Sequence, residues 1–160
     1  MPRIPVWSEG DFVEKHLDIV DHSTPCGVGV GRIVSRILAY APQEAIAHLK
    51  SLEIWDIAPE RKGFARYVRG KGRIDLFVQE TICWLPWILR KTFVLPYLFI
   101  GLALGHEIDH HVNRDRDMPE EEREKSAESN AMTYVYPSPG MLKPAALLMK
   151  WFMSKRGVRH

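Results

Sequence analysis

The chain has few cysteines and little excess of charge of either sign. Cys26 and Cys83 are its 2 cysteines, too few for a disulfide framework, so we interpret them as thiols of a reducing compartment. Lys and Arg number 22 against 20 Asp and Glu, a net charge of +2, which argues against a dedicated nucleic-acid-binding protein. The 46% hydrophobic and 10% aromatic content of the 160 residues excludes wholesale disorder and predicts one folded domain over residues 1–160.

The chain also lacks an apolar run long enough to cross a membrane. Residues 82–104 are the most apolar stretch, but Arg90 and Lys91 interrupt it and leave 13 residues, Thr92 to Leu104. A spanning helix needs about 18 or more. Residues 1–10 show no apolar core followed by a small-residue cleavage site, as a secretory leader would. We therefore expect a cytoplasmic protein without a transmembrane segment, in which Thr92 to Leu104 forms a buried helix.

Apolar spacing, prolines and glycines predict helices before and after a few strands in the chain, with the helices packed on a small antiparallel sheet. The alternating segments 64–68 and 73–78 flank a glycine-containing turn and predict an antiparallel hairpin. The other predicted elements are two helices divided at Pro42 between residues 33 and 49, a short strand over 54–57, a long helical region ending near Asn113 with kinks near Pro86 and Pro96, a helix from Pro119 to before Pro137, and a helix over 142–155. This order is typical of the α+β class.

The segment from His106 to His110 has the pattern H-E-x-x-H. On a helix, residues four apart lie one turn apart on the same face, so both imidazoles can bind one metal ion. Glu107 lies beside that face, where it can take a proton from a metal-bound water. The apolar run that precedes the pattern predicts that it lies on a buried helix. Asp109 is an unusual spacer residue in this pattern, and it indicates either a hydrogen-bond partner of a metal-binding histidine or a degenerate motif.

Two other interpretations of this segment stay open. The histidines and acids can form a solvated helix end that binds no metal. Alternatively, Glu107 and His110 form the E-x-x-H pair of a di-iron bundle. That second interpretation requires a homodimer, because the chain has no second E-x-x-H pair.

The helix after Pro119 offers acids for a third ligand, which a catalytic zinc usually has. Glu124 and Glu128 share a helical face with two alanines, Ala127 and Ala131, which would let this helix pack closely against the motif helix. With a turn centred near residue 117, His110 lies roughly opposite Glu124 and His106 opposite Glu128. The residues alone leave both glutamates open as the ligand, the other then being a second-shell partner.

Together these residues resemble the glutamate-zincins, most closely the ImmA/IrrE-like metallopeptidases. The resemblance covers roughly residues 64–137 and includes a hairpin before the motif helix. Its downstream pattern matches Glu124, Ala127, Ala131 and Pro137, and therefore implies that Glu124 is the third zinc ligand. It departs from the family at Glu128, where Asn or Asp is common, and at Asn130, where an aromatic residue is common. The family further implies a zincin-like fold and a protein substrate such as a helix-turn-helix repressor.

The sequence thus predicts a zinc-dependent peptidase, a hydrolase acting on a protein or peptide. Zn²⁺ would be bound by His106, His110 and Glu124, with Glu107 as the catalytic base. Three residues are candidate oxyanion donors that the sequence does not rank: His111, Tyr134 and Tyr136. The arm of the hairpin from Arg73 to Val78 is the expected sheet edge for a substrate strand. The alternative function is a non-catalytic metal-binding or regulatory module that keeps the zincin fold.

Overall fold

The computed structural model describes residues 17–24, 27–59, 63–92 and 94–135. Their strands are β1 (Asp18–Asp21), β2 (Ser51–Trp55), β3 (Ala65–Val68) and β4 (Arg73–Phe77), and their α-helices are α1 (Val30–Tyr40), α2 (Gln43–Ile46), α3 (Trp87–Lys91), α4 (Val94–Val112) and α5 (Glu120–Val135). A 3-10 turn, Arg69–Lys71, joins β3 to β4, and a π-helical turn, Gln79–Cys83, follows β4. The class is mixed α+β, as expected. The helix expected over 142–155 lies outside the described residues.

The sheet has the order β1-β2-β4-β3. β1 pairs with β2 and β2 with β4 in parallel, and only β3 runs antiparallel, against β4. The expectation of an antiparallel sheet was therefore wrong. Only the hairpin was visible in the sequence, whereas the parallel pair β1–β2 is closed by the crossover through α1 and α2, a connection that local patterns do not reveal. β1 itself was missed because it has four residues and an Asp at each end.

The helical side of the sheet forms the core. The side chains that point to this side are fully buried: Ile19, Leu52, Ile54, Ile74 and Leu76. α1 covers them with a buried stripe that ends at Leu38, and Pro42 begins the turn into α2. The predicted division of this segment into two helices is confirmed. Its physical cause is that proline cannot continue the hydrogen-bond ladder of a helix.

The hairpin is confirmed, but its edge strand is not the expected one. β4 lies between β2 and β3, so the arm from Arg73 to Val78 is interior, and β3 is the edge. The cause is that β4 pairs with strands on both sides, with β2 along its whole length and with β3. Gly72 ends the 3-10 turn with φ of 59°, the left-handed conformation that glycine adopts most readily.

α4 carries the H-E-x-x-H pattern through the interior, and α5 packs along it. The long helical region expected up to Asn113 is divided into the π-helical turn, α3 and α4. Pro86 is the N-cap of α3, and Pro96 lies in the first turn of α4, where backbone N–H groups have no intrahelical partner. Ala127 and Ala131 are both buried, which allows close packing of α5. Among the described residues, every helix is too short or too polar for a bilayer crossing.

Candidate metal centre

The two histidines of the H-E-x-x-H pattern meet at their ring tips. His106 and His110 lie one turn apart on α4, and their Nε2 atoms are 3.1 Å apart. The rings are nearly perpendicular, with an angle of 80° and centroids 4.7 Å apart. Both side chains are partly exposed, at 23% and 14%, so the two nitrogens can be reached from solvent. The helix therefore directs two imidazole nitrogens, which can act as metal ligands, at one point.

Glu124 on α5 completes a group of three. Its Oε2 is 3.3 Å from His106 Nε2, and its Oε1 is 3.3 Å from His110 Nε2. The three ligand atoms lie within 4.8 Å of one another, and the group could hold a metal ion. Glu128, one turn further along α5, is exposed and is outside this group. Of the two candidate glutamates, the structure brings Glu124 to the histidines.

The spacing and chemistry of this donor set suit a tetrahedral ion. Ligands at about 2.0–2.1 Å from a tetrahedral zinc are about 3.3–3.4 Å apart. The observed separations are 3.1 Å between the histidine nitrogens and 3.3 Å from each to Glu124. Two imidazoles and one carboxylate also match the ligand types of catalytic zinc sites, which keep a fourth position open. The residues present therefore fit a zinc ion.

Glu107 is buried next to this group and is held by the sheet. Its Oε2 accepts a 2.6 Å hydrogen bond from the backbone N–H of Tyr67 on β3. Burial is the largest cause that raises the pKa of Glu107 to about 7. The Tyr67 N–H lowers this pKa and the negative charge of Glu124 raises it. A carboxyl group with such a pKa can both accept and donate a proton near neutral pH.

The hydrogen-bond pattern of the hairpin explains why Tyr67 N–H is available. Phe77 N–H donates to the Phe64 carbonyl, and hydrogen-bonded pairs alternate along an antiparallel ladder. With the register Tyr67 opposite Ile74, the backbone groups of Tyr67 and Ala65 point away from β4. Within the described residues β3 is the edge of the sheet, and this edge thus runs directly past Glu107.

Asp109 has a different environment from the one expected for a degenerate motif. It is fully buried, and its Oδ2 accepts hydrogen bonds from Asn113 Nδ2 at 2.8 Å and Ser126 Oγ at 2.9 Å. Its Oδ1 accepts from Asn130 Nδ2 at 3.1 Å. Ser126 and Asn130 are on α5, so Asp109 fastens α5 to α4. It fixes the register that brings Glu124 to the histidines.

Two of the three candidate oxyanion donors are described, and both are engaged elsewhere. His111 Nε2 donates to the Ala47 carbonyl at 2.7 Å, and its Nδ1 accepts from the Tyr67 hydroxyl at 3.0 Å, an arrangement that leaves no free ring N–H. Burial lowers the pKa of His111 and favours this neutral ring. The pKa of Tyr134 is raised to about 12 by burial and by its hydrogen bond to Asp109. Tyr136 lies outside the described residues.

Sequence reasoning missed Tyr67 and the residues that bind Asp109. A signal for the latter was present, because Asp109 and Asn113, like Ser126 and Asn130, are four apart and therefore adjacent on one helical face. No comparable signal exists for Tyr67, because its backbone N–H and its hydroxyl bind residues 40 or more positions away in the chain. No protein-family model, curated protein or solved structure matches the chain.

Proposed function

We propose that the chain is a zinc-dependent peptidase with His106, His110 and Glu124 as metal ligands and Glu107 as catalytic base. One observation carries the proposal: three ligand atoms converge at tetrahedral spacing next to a buried carboxyl group that faces a free sheet edge. Metal, base and edge are the parts that hydrolysis of an extended peptide requires. The resemblance to ImmA/IrrE-like metallopeptidases supports the same conclusion.

Zinc bound there would polarise the scissile carbonyl and lower the pKa of the attacking water. Glu107 takes the proton from that water and later delivers it to the leaving nitrogen. Tyr67 N–H occupies Oε2 of Glu107, so it orients the carboxyl group and leaves Oε1 to exchange the proton. Because the pKa of Glu107 is raised to about 7, it can serve in both steps without a second acid.

The substrate in this proposal is a peptide in extended conformation that pairs with β3. Ala65 directs its backbone N–H and C=O to the free edge, and the C=O of Tyr67 points the same way. Main-chain hydrogen bonds of this kind give affinity with little sequence preference. The Tyr67 N–H, in contrast, is already bound to Glu107. A substrate strand therefore pairs mainly through Ala65 and meets the base at the next outward position.

The experiment is cleavage of a peptide library by zinc-loaded protein, with new termini identified by mass spectrometry. We expect wild type to generate new termini and Glu107→Gln to retain zinc but lose turnover by about 100-fold or more. Glu121→Gln is the matched control, since Glu121 is exposed on α5 and pairs with Lys125. It should keep full activity.

Two outcomes would contradict the proposal. If zinc-loaded wild type generates no new termini, the non-catalytic metal-binding module is the better function. If Glu107→Gln loses its metal, Glu107 is itself a ligand, as the di-iron interpretation requires.

A further inference from the structure

The surface around α3 is unusually apolar for solvent. Five large hydrophobic side chains within residues 84–94 are exposed: Trp84 at 43%, Trp87 at 60%, Ile88 at 61%, Leu89 at 39% and Val94 at 48%. We call these five residues, with Arg90 and Lys91, the α3 patch. Exposed single hydrophobic residues are ordinary, but a contiguous group marks an interaction surface. The patch is therefore a candidate docking surface.

The patch is firmly attached to the rest of the molecule. The Trp84 ring packs edge-on against Phe99 of α4, with centroids 5.1 Å apart, and its indole N–H donates to the Thr81 carbonyl at 3.1 Å. The Arg90 N–H donates to the Pro86 carbonyl, which closes the short helix α3. The apolar side chains are thus presented on an ordered turn of backbone.

The charge of the patch is of one sign. The segment between Glu80 and Glu107 contains no Asp or Glu, and the only Lys or Arg residues in this segment are Arg90 and Lys91. Lys91 Nζ lies 4.8 Å above the Trp87 ring, a cation–π contact that keeps the ammonium group beside the apolar surface. Exposed tryptophan and aliphatic side chains next to basic groups are the combination that binds the interface of an anionic membrane.

We propose that the α3 patch binds anionic lipid surfaces. The described helices do not span a bilayer, so the contact is peripheral, with Trp87 and Ile88 entering the headgroup region and Arg90 and Lys91 at the phosphates. A second copy of the chain fits the patch less well, because a two-fold contact would place Arg90 and Lys91 against their own copies without an acid on either side. Residues 136–160 of the chain likewise contain no Asp or Glu, so they offer no complementary charge.

The patch is separated from the candidate metal centre. Val94 and His106 lie on the same helix, α4, and the rise of 1.5 Å per residue places them about 18 Å apart. Membrane contact at the α3 end of α4 therefore does not involve the ligand group at His106. This inference does not depend on the proposed peptidase activity.

The test is co-sedimentation of the full-length protein with vesicles of phosphatidylcholine alone or mixed equally with phosphatidylglycerol. We expect binding to the anionic vesicles that weakens at high salt. Arg90→Gln/Lys91→Gln should lower the partition coefficient about 25-fold, at about fivefold for each basic group. Trp87→Ser/Ile88→Ser should lower it about tenfold or more. Trp55→Ser is the matched control, since Trp55 is exposed on the sheet and stacks on His22, and it should bind like wild type.

Three results would overturn the inference. The first is failure of folded wild type to bind anionic vesicles. The second is equal binding by wild type and by both double variants, which would place the lipid contact elsewhere in the chain. The third is a dimer in sedimentation velocity that Trp87→Ser/Ile88→Ser dissociates, which would identify a second copy as the occupant. The substituted residues are on the surface, and circular dichroism checks that each variant keeps its fold.

Discussion

The contact between α4 and α5 contains two carboxylate environments, and they differ in how far their hydrogen bonding is complete. Asp109 is fully buried and accepts hydrogen bonds from Asn113, Ser126 and Asn130. Glu124 is 37% exposed and faces two imidazole nitrogens at 3.3 Å. Neutral donors satisfy the Asp109 charge within the fold. At Glu124, three ligand atoms converge on a point that a cation would fill. The first environment is structural, and the second is the candidate metal centre.

The largest expected effect is loss of metal when a ligand is removed. His106→Ala, His110→Ala and Glu124→Gln should each weaken zinc binding more than about 100-fold, because each removes one of three protein ligands. The free energy of unfolding of the metal-free protein should change little, since the three side chains are partly exposed. Competition titration with a zinc chelator measures the affinity. Glu128→Gln is the control on the same helix, and a larger loss in that variant than in Glu124→Gln would transfer the ligand role to Glu128.

The second largest effect is expected for Asp109→Leu, which should lower stability more than the ligand variants do and zinc affinity less. Asp109→Leu removes the acceptor of the hydrogen bonds from Asn113, Ser126, Asn130 and Tyr134. We expect about 3 kcal/mol lower free energy of unfolding for the metal-free protein. Zinc affinity should fall less than in Glu124→Gln, by about 10–100-fold, because α5 loses its fixed register. Urea unfolding with the same chelator titration separates the two quantities. If Asp109→Leu abolishes zinc binding and leaves stability unchanged, the two environments have been assigned the wrong way round.

A smaller effect comes from Tyr134 at the margin of the Asp109 cluster. Its folded-state pKa is raised to about 12, so its contribution to stability is complete below pH 10 and is lost as the pH rises through about 12. Tyr134→Phe should cost about 1 kcal/mol at neutral pH, and should remove this part of the alkaline destabilisation. Unfolding curves recorded between pH 9 and about 12 test it; identical pH dependence in both proteins would contradict the assignment.

The smallest effect is expected at Asp56, far from both environments. Hydrogen bonds from the Thr24 hydroxyl, at 2.6 Å, and from the Thr24 N–H lower the pKa of Asp56. A lowered folded-state pKa contributes stability above the unfolded value of 3.8, and this is lost as the pH falls through the folded-state pKa. Asp56→Asn should make acid unfolding slightly less steep in this range. Equal acid profiles for wild type and variant would show that the Thr24 contact contributes nothing.

Local signals were sufficient where an element is defined by its own residues. Pro42 ended α1, the alternating arms formed the hairpin, and Pro119 preceded α5. Helical spacing also predicted that His106 and His110 lie together, and the turn centred near residue 117 predicted that Glu124 lies near His110. The structure groups all three residues. The role of zinc stays a prediction, as does hydrolysis. The parallel pairing of β1 with β2 and the interior position of β4 depend on contacts between distant segments, which local patterns do not contain.

Around the candidate metal centre, too, local patterns could not predict contacts between distant segments. Asp109 was assigned from its position in the motif, but its environment is set by Ser126 and Asn130, which come from another helix. His111 was considered for its position beside the motif, but it is engaged by Ala47 and Tyr67, each more than 40 residues away in the chain. Partners of this kind become visible only when helices and strands are assembled.

Tyr67 holds α4 at two places. Its backbone N–H binds Glu107, and its hydroxyl binds His111, and these two residues are a single turn apart. Both side chains project from the surface of α4, so rotation of the helix about its axis moves both of them relative to Tyr67. Rotation of α4 that would swing His106 and His110 away from Glu124 must therefore break two bonds at the same time. The edge strand β3 therefore resists rotation of α4 about its axis. We expect the Tyr67 amide hydrogen to exchange as slowly as amide hydrogens in the sheet interior.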